Sequence, residues 1–294
     1  MAIRPMLALD ANKVKVRLPM IGQPKLDGFR CLMTASGPQA RSGDPFINRN
    51  LAALVKDQEW PIGLDGELCI GPPTDQACIQ RTTSALNSHH GSLEGLTYNV
   101  YDLWDRPGLA FEYRMQILER MISDINLSTS IRLVSNEAIL SYSDVDNFEL
   151  RMLALGYEGI ILRSPIATYH HNRAGTRFQQ LLKIKRFLDA EAICIGMEEL
   201  QHNDNEAETD ELGRMYRSSA ASGQRPSGLM GKLVLDWQGQ RLAVGSGFTV
   251  AQRREFFMNP PLRQWVKFKY QPHGVKDLPR SPIYRCLRHK SDMS

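Results

Sequence analysis

Apolar positions along this chain fall into two regimes. Up to about residue 187, short strand-like runs alternate with stretches of helical period; beyond it the pattern is strand-rich with one short helix. In the first part Leu64–Ile70, Tyr98–Trp104 and Gly159–Arg163 read as strands, each bounded by Gly, Pro or polar residues. Phe111, Met115, Leu118, Met121, Ile122 and Ile125 recur at helical spacing and predict a helix over 111–125. A second helix is predicted over 144–155, starting behind Ser143 with Asp146 three residues on as an acidic capping box and stopping at Gly156. In the second part 190–197, 231–237, 241–246 and 264–270 read as strands, and 251–258 as a helix ended by Pro260-Pro261. Between two of these strands Gln201 to Gly228 is long, polar and broken by Gly213, Gly223 and Pro226, which predicts a loop, functional or disordered.

The change of pattern sets an expected boundary, with domains over 1–187 and 188–294. Short strands around one helix suit a small closed barrel of the OB type in the second domain. The 294 residues agree with about two domains, and 42% hydrophobic with 23% charged content excludes wholesale disorder. A formal charge of +4 is too small to prove a polyanion partner, but its distribution is uneven. From Glu198 to Glu211 there are seven acids and no Lys or Arg, whereas from Phe257 onward eight Lys/Arg face Asp277 and Asp292. The C-terminal part is therefore a candidate polyanion-facing surface. Five scattered cysteines with no C-x-x-C pair argue against a disulfide framework or zinc ribbon and suit a reducing cytoplasm. No apolar run reaches membrane-spanning length, so a soluble, intracellular protein with no membrane partner is expected.

The densest chemistry lies in Lys25-Leu26-Asp27-Gly28-Phe29-Arg30, preceded by Gln23-Pro24. It supplies a nitrogen nucleophile, a charge partner, a tight turn and a planar cation; the Asp-Gly pair equally fits a surface hairpin joining two strands. This K-x-D-G-x-R pattern resembles the nucleophile motif of the covalent nucleotidyltransferases, the superfamily of DNA ligases, RNA ligases and capping enzymes. Further segments follow in the order that superfamily uses. Leu64-Asp65-Gly66-Glu67-Leu68 resembles its second acidic motif, Val100-Tyr101-Asp102 its aromatic-acid motif, Glu158-Gly159-Ile160-Ile161-Leu162-Arg163 its E-G-x-x-x-R motif, and Leu182-Lys183-Ile184-Lys185 its paired-lysine motif. Arg41-Ser42-Gly43 resembles a phosphate-meeting segment, and the run from Arg280 to Lys290 resembles the basic C-terminal motif of the ligases. Glu206 through Ser227, with the runs Leu212-Gly213-Arg214 and Arg217-Ser218-Ser219, resembles an insert of phage-type ligases.

The closest family is that of small ATP-dependent DNA ligases of phage and bacterial type. The resemblance implies an α+β chain: a nucleotidyltransferase domain with antiparallel sheets, ATP-grasp-like, plus a C-terminal OB-fold barrel. It implies Lys25 as the residue that becomes bonded to AMP, and a nucleotide site drawn from Gln23, Pro24, Leu26, Arg30, Arg41, Glu67, Tyr101, Arg163, Lys183, Lys185, Arg285 and Arg288. Tyr101 would stack on the base, Glu67 accept from a ribose hydroxyl or help hold a metal, and Glu158 bind Mg²⁺ or Mn²⁺. Arg285 and Arg288 would orient departing pyrophosphate. The substrates implied are ATP and nicked double-stranded DNA, the protein acting as a monomer. Two departures stand out: Gln23 where many ligases have Glu, and His289-Lys290 where an acid often follows the second arginine.

Elementary chemistry says why these residue types belong together. A lysine in water is protonated at neutral pH, with a pKa of about 10.4, and cannot attack phosphorus. Neighbouring cations disfavour its charged form, and Lys183 and Lys185, spaced i, i+2 on one strand face, can both reach one phosphate. Two rival readings share these residues: an RNA ligase or capping guanylyltransferase, and a non-catalytic nucleic-acid binder using basic, aromatic strands such as Trp265–Tyr270.

Overall fold

The computed structural model describes residues 3–124, 130–173, 179–209, 215–218, 220–271 and 278–288. The chain divides into two compact units, Met1–Lys185 and Arg186–Ser294. The first contains strands β1 (Met6–Leu7), β2 (Leu9–Asp10), β3 (Met20–Lys25), β4 (Phe29–Thr34), β5 (Gly37–Ala40), β6 (Leu64–Ile70), β7 (Leu96–Leu103), β8 (Ile131–Leu133), β9 (Glu137–Ile139), β10 (Gly159–Arg163), β11 (Asn172–Arg173) and β12 (Leu181–Lys185). Its helices are α1 (Arg49–Asp57), α2 (Cys78–Leu86), α3 (Phe111–Asp124) and α4 (Tyr142–Ala154). Ile125, the last residue of the helix predicted over 111–125, lies outside the described residues.

Two five-stranded sheets form the body of this unit, in the orders β2-β12-β10-β3-β9 and β5-β4-β6-β7-β8. They are mixed rather than purely antiparallel, because β2 pairs β12 and β7 pairs β8 in parallel. Both parallel pairs join strands far apart in sequence, with the long crossovers such pairing needs. Helix α4 covers one face of the first sheet, where Val145, Phe148 and Met152 pack with Met20, Ile139, Ile160, Leu162 and Leu182. Helix α3 packs Phe111, Met115, Leu118 and Ile122 into the core of the second sheet with Leu64, Leu68, Tyr98 and Val100.

The Asp27-Gly28 turn is not a hairpin: β3 and β4 belong to different sheets, so the nucleophile motif is the crossing from one to the other. Gly28 is required for that crossing. A Cβ there would strike the Leu68 carbonyl and come within 2.8 Å of the Glu67 side chain, so the loop lies against β6. Helix α4 begins two residues earlier than its pattern suggests, with Ser141 as cap and Asp144 completing the box. The S-x-x-D pattern occurs twice in overlap, and the helix uses the earlier one. At the other end Gly156, with φ +95, closes a Schellman turn: its amide donates to Leu153 and that of Tyr157 to Met152.

The second unit holds β13 (Leu188–Asn203), β14 (Ala207–Thr209), β15 (Met215–Arg217), β16 (Gln224–Trp237), β17 (Gln240–Val244), α5 (Val250–Met258), β18 (Trp265–Gln271) and β19 (Arg280–Arg288). One antiparallel sheet runs in the order β17-β16-β13-β18-β19 around Met230, Leu233, Leu235, Phe256, Val266 and Phe268. Among the described residues the ladder is open between β17 and β19, and the parallel bridge Ser246 to Ile283 links the segment after β17 to β19. Where it is described, the expected loop over 201–228 is mostly strand, since β13 and β16 run into it and β14 pairs β15. These strand ends are exposed on both faces, so no alternation of apolar residues marks them. Leu212, Gly213, Arg214, His289 and Lys290 lie outside the described residues.

Candidate active site

Side chains on a strand alternate between faces, so the face of the first sheet turned away from α4 carries every second residue. Three register rows cross β3, β10 and β12 on that face: Ile21, Arg163 and Leu181; Gln23, Ile161 and Lys183; Lys25, Gly159 and Lys185. The first row is core and the last is half-open, so one continuous surface runs from apolar interior to paired ammonium groups. Glu158, immediately before β10, bridges the open row. Its Oε2 takes an ion pair from Lys25 Nζ, and Lys185 Nζ stands 3.4 Å from its Oε1. One buried carboxylate thus meets two ammonium groups on a face where a phosphate could bind.

The second sheet supplies the facing groups. Arg30 on β4 stands opposite Glu67 on β6 in register. On β7 the register slips between Asp65 and Gly66, leaving Tyr101 as a bulged residue without a ladder partner. A bulge re-aims its side chain, and Tyr101 Oη donates to Glu67 Oε2 at 3.3 Å while the Arg30 guanidinium lies 5.2 Å from the ring centroid. Burial pushes the Glu67 carboxyl up to about 7, against the pull of Lys25 and Arg30. Burial likewise raises the Tyr101 and Tyr169 phenols, keeping both as donors. The Arg30 fork is engaged by Asp65, with Nε at 2.8 Å and Nη2 at 2.6 Å, and the Tyr169 hydroxyl donates to the same carboxylate at 2.6 Å.

Gln23 ties the two sheets together. Only 2% exposed, it donates from Nε2 to the Tyr101 carbonyl at 3.4 Å and to Asn136 Oδ1 at 2.8 Å. The bulge frees that carbonyl, and an acid at this position would have no hydrogen to give either acceptor. This accounts physically for Gln23 in place of Glu. Pro24 and Leu26 are buried on either side of Lys25 and fix the backbone that presents it.

Within the first unit, Arg163 and Arg41 lie apart from the lysines. Arg163 is 2% exposed and bonded to Asp102, which also takes Arg114 at 2.7 Å; the Phe111 ring covers Arg163 at 4.5 Å. Its guanidinium therefore belongs to a buried ion cluster rather than to the open row. Arg41 is exposed on the turn after β5. In the second unit Arg285 is exposed, and Arg288 pairs with Glu191 at 2.6 Å. Three site residues went unmarked in the sequence: Asp65, although it sits in the same motif as Glu67, and Tyr169 and Asn136, which carry no local signal.

The donor set suits a hard divalent cation. Glu67 and Glu158 are carboxylates that both act on Lys25, and no group of three or more His, Cys, Asp or Glu suited to a metal occurs among the described residues. Mg²⁺ is commonly held by one or two carboxylates, with phosphate oxygens and water completing its shell. No helix among the described residues is long and apolar enough to cross a membrane.

Comparison with known proteins agrees with this arrangement. Residues 5–185 match the family model described as ATP dependent DNA ligase domain, and residues 223–288 match the DNA ligase OB-like domain. Among solved structures, the fold is similar to that of a Lig E DNA ligase, at 21% identity and TM-score 0.75, covering 98% of this chain and 100% of that one. It is also similar to the Chlorella virus DNA ligase-adenylate, at 27% identity and TM-score 0.56, with 99% of each chain covered. No curated protein sequence matches the chain. With a ligase model spanning more than half its length, the chain belongs to the ATP-dependent DNA ligase family.

Proposed function

We propose that Lys25 is the nucleophile of this ligase and that the protein seals nicks between a 3′-hydroxyl and a 5′-phosphate. The observation that carries the reading is the shared carboxylate: Lys25 and Lys185 both lean on Glu158 in one register row, with Lys183 in the next. The ammonium groups of this surface attract a triphosphate. The neutral Lys25 Nζ attacks the α-phosphorus of ATP, a nitrogen–phosphorus bond forms as the nitrogen gives up a proton to solvent, and pyrophosphate departs with the electron pair of the broken phosphorus–oxygen bond. An oxygen of the nick 5′-phosphate then displaces Lys25 from AMP, and the lysine regains a proton. Finally the 3′-hydroxyl attacks the activated phosphate, loses its proton and expels AMP.

Tyr101 offers its ring to the base, and Glu67 accepts from ribose or joins Glu158 in holding Mg²⁺ or Mn²⁺. When bound, the ion would supply charge neutralisation at the phosphates. Ile161, between Gln23 and Lys183, gives the base an apolar floor. Arg30 positions Tyr101 and Glu67 through its clamp on Asp65. Arg163 acts from within the core, holding β7 to β10 through Asp102. Arg285 and Arg288 are assigned to pyrophosphate release, and Arg41 to a peripheral phosphate. The protein works as a cytoplasmic monomer on nicked duplex DNA.

Denaturing electrophoresis after incubation with α-labelled ATP and Mg²⁺, followed by a nicked-duplex chase, tests the reading. Wild type is expected to carry label that the chase removes, and Lys25→Ala to carry none. Labelling by GTP alone would favour a capping enzyme, and an unlabelled wild type would leave a binding protein. Replacing both Arg285 and Arg288 by Ala should block labelling yet spare sealing of a pre-adenylylated nick; equal loss of both activities would assign them to DNA binding or folding.

A further inference from the structure

The bond pattern around Gln23 dictates which way two amides face. The Tyr101 carbonyl can only accept, so Gln23 must aim Nε2 at it and turn Oε1 away. The same Nε2 donates to Asn136, so Asn136 must present Oδ1 inward and turn its NH₂ group outward. Asn136 is exposed, and its Nδ2 has no partner among the described residues. Gln23 Oε1 likewise takes no hydrogen bond there and is not among the fully buried orphan atoms, so it keeps contact with solvent. The result is an acceptor and a double donor side by side, held in that order by a backbone carbonyl.

Their place matters as much as their order. Glu137 pairs Gly22, so Asn136 continues the ladder beside Gln23, on the strand next to the one that bears Lys25. The pair lies two residues along β3 from the nucleophile, about 7 Å, and one strand outward, about 5 Å. That offset suits a nucleoside whose 5′ phosphorus meets Lys25 Nζ. Adenine offers an N6 amino donor beside an N1 acceptor; guanine offers the reverse, an O6 acceptor beside an N1–H donor. Only the adenine order fits Gln23 Oε1 next to Asn136 Nδ2.

We infer that Asn136 is a specificity residue of the nucleotide site, donating from Nδ2 to N1 of adenine while Gln23 Oε1 accepts from N6. The inference rests on the reading of Lys25 as the residue that takes AMP. It makes adenine selection in this chain a property of a relay, Tyr101 carbonyl to Gln23 to Asn136, whose polarity would reverse if the carbonyl were a donor.

The test measures Lys25 labelling with ATP, with 1-deaza-ATP, in which CH replaces N1, and with 7-deaza-ATP as a control on the opposite edge. Wild type should show a KM for 1-deaza-ATP about tenfold above that for ATP, the size of one neutral hydrogen bond, with little change in kcat. It should treat 7-deaza-ATP like ATP. Asn136→Ala should raise the KM for ATP about tenfold and erase the penalty against 1-deaza-ATP. Asn136→Asp keeps the acceptor for Gln23 but replaces the donor, and should raise labelling by GTP relative to ATP. An Asn136→Ala protein that still discriminates fully against 1-deaza-ATP, or that loses kcat with KM unchanged, overturns the inference. Failure of the underlying reading looks different: wild type unlabelled by ATP, or Lys25→Ala still labelled. Asn136 is exposed, and a melting curve matching wild type confirms that the variants fold.

Discussion

Asp102→Ala is the substitution whose cost can be worked most directly from the structure. The Asp102 and Arg114 side chains are 0% exposed and that of Arg163 is 2% exposed, and one carboxylate serves both guanidinium groups. Removing it orphans two buried cations unequally. Arg114 keeps the carbonyls of Leu109 and Ala167, whereas Arg163 keeps no acceptor among the described residues and already has an unpartnered Nε. Breaking a buried pair from one side costs about 3–5 kcal/mol, and two orphans place this case near the upper end, about 5 kcal/mol. At about 2–4 °C per kcal/mol for a unit of this size, the first unit should melt about 10–20 °C lower. Calorimetry of the full chain, following that unit's transition, is the assay. The double variant Asp102→Ala with Arg163→Met removes one of the stranded charges and should recover about 2 kcal/mol relative to the single variant. A loss under about 1.5 kcal/mol in Asp102→Ala, or strictly additive effects in the double variant, would refute the view that these charges depend on one another.

Three further outcomes follow from local geometry. Gly28→Ala drives a Cβ into the Leu68 carbonyl and within 2.7 Å of Cys69 Sγ, so the crossing loop must shift and Lys25 labelling should fall at least about a hundredfold, read by electrophoresis. Glu67 ionises near 7 instead of the usual 4.5, so the native state holds a proton over that interval that the unfolded chain has lost. Its contribution to stability therefore falls as pH rises through the window, and Glu67→Gln should gain stability over wild type from about pH 5 to about pH 8 in urea titrations. In labelling assays the same variant should lose the wild-type rise in rate through about pH 7, because only the carboxylate can hold a cation. Ser141→Ala removes the acceptor for the Asp144 amide and should cost about 1 kcal/mol without changing the KM for ATP.

Features that depend on neighbours along the chain are legible in the residues alone. Lys25 sits beside the glycine that lets its loop lie against β6, and the i, i+2 spacing of Lys183 and Lys185 puts both on one face. Helix α3 is legible because its apolar stripe has a period of its own, and α5 because prolines end it. Helices α1 and α2, with short and mostly polar faces, gave no comparable signal, and the strand ends over 201–228 are hidden by exposure on both sides. Long-range packing alone puts Glu158 beside both Lys25 and Lys185, engages Arg163 with Asp102, and brings Asn136 to Gln23 from 113 residues away. Strand order and register come from the whole core settling at once, and a bulge such as that at Tyr101 exists only between two partners. A residue's own neighbours can therefore announce its chemistry, while the company it keeps across a sheet is written in contacts that no local stretch contains.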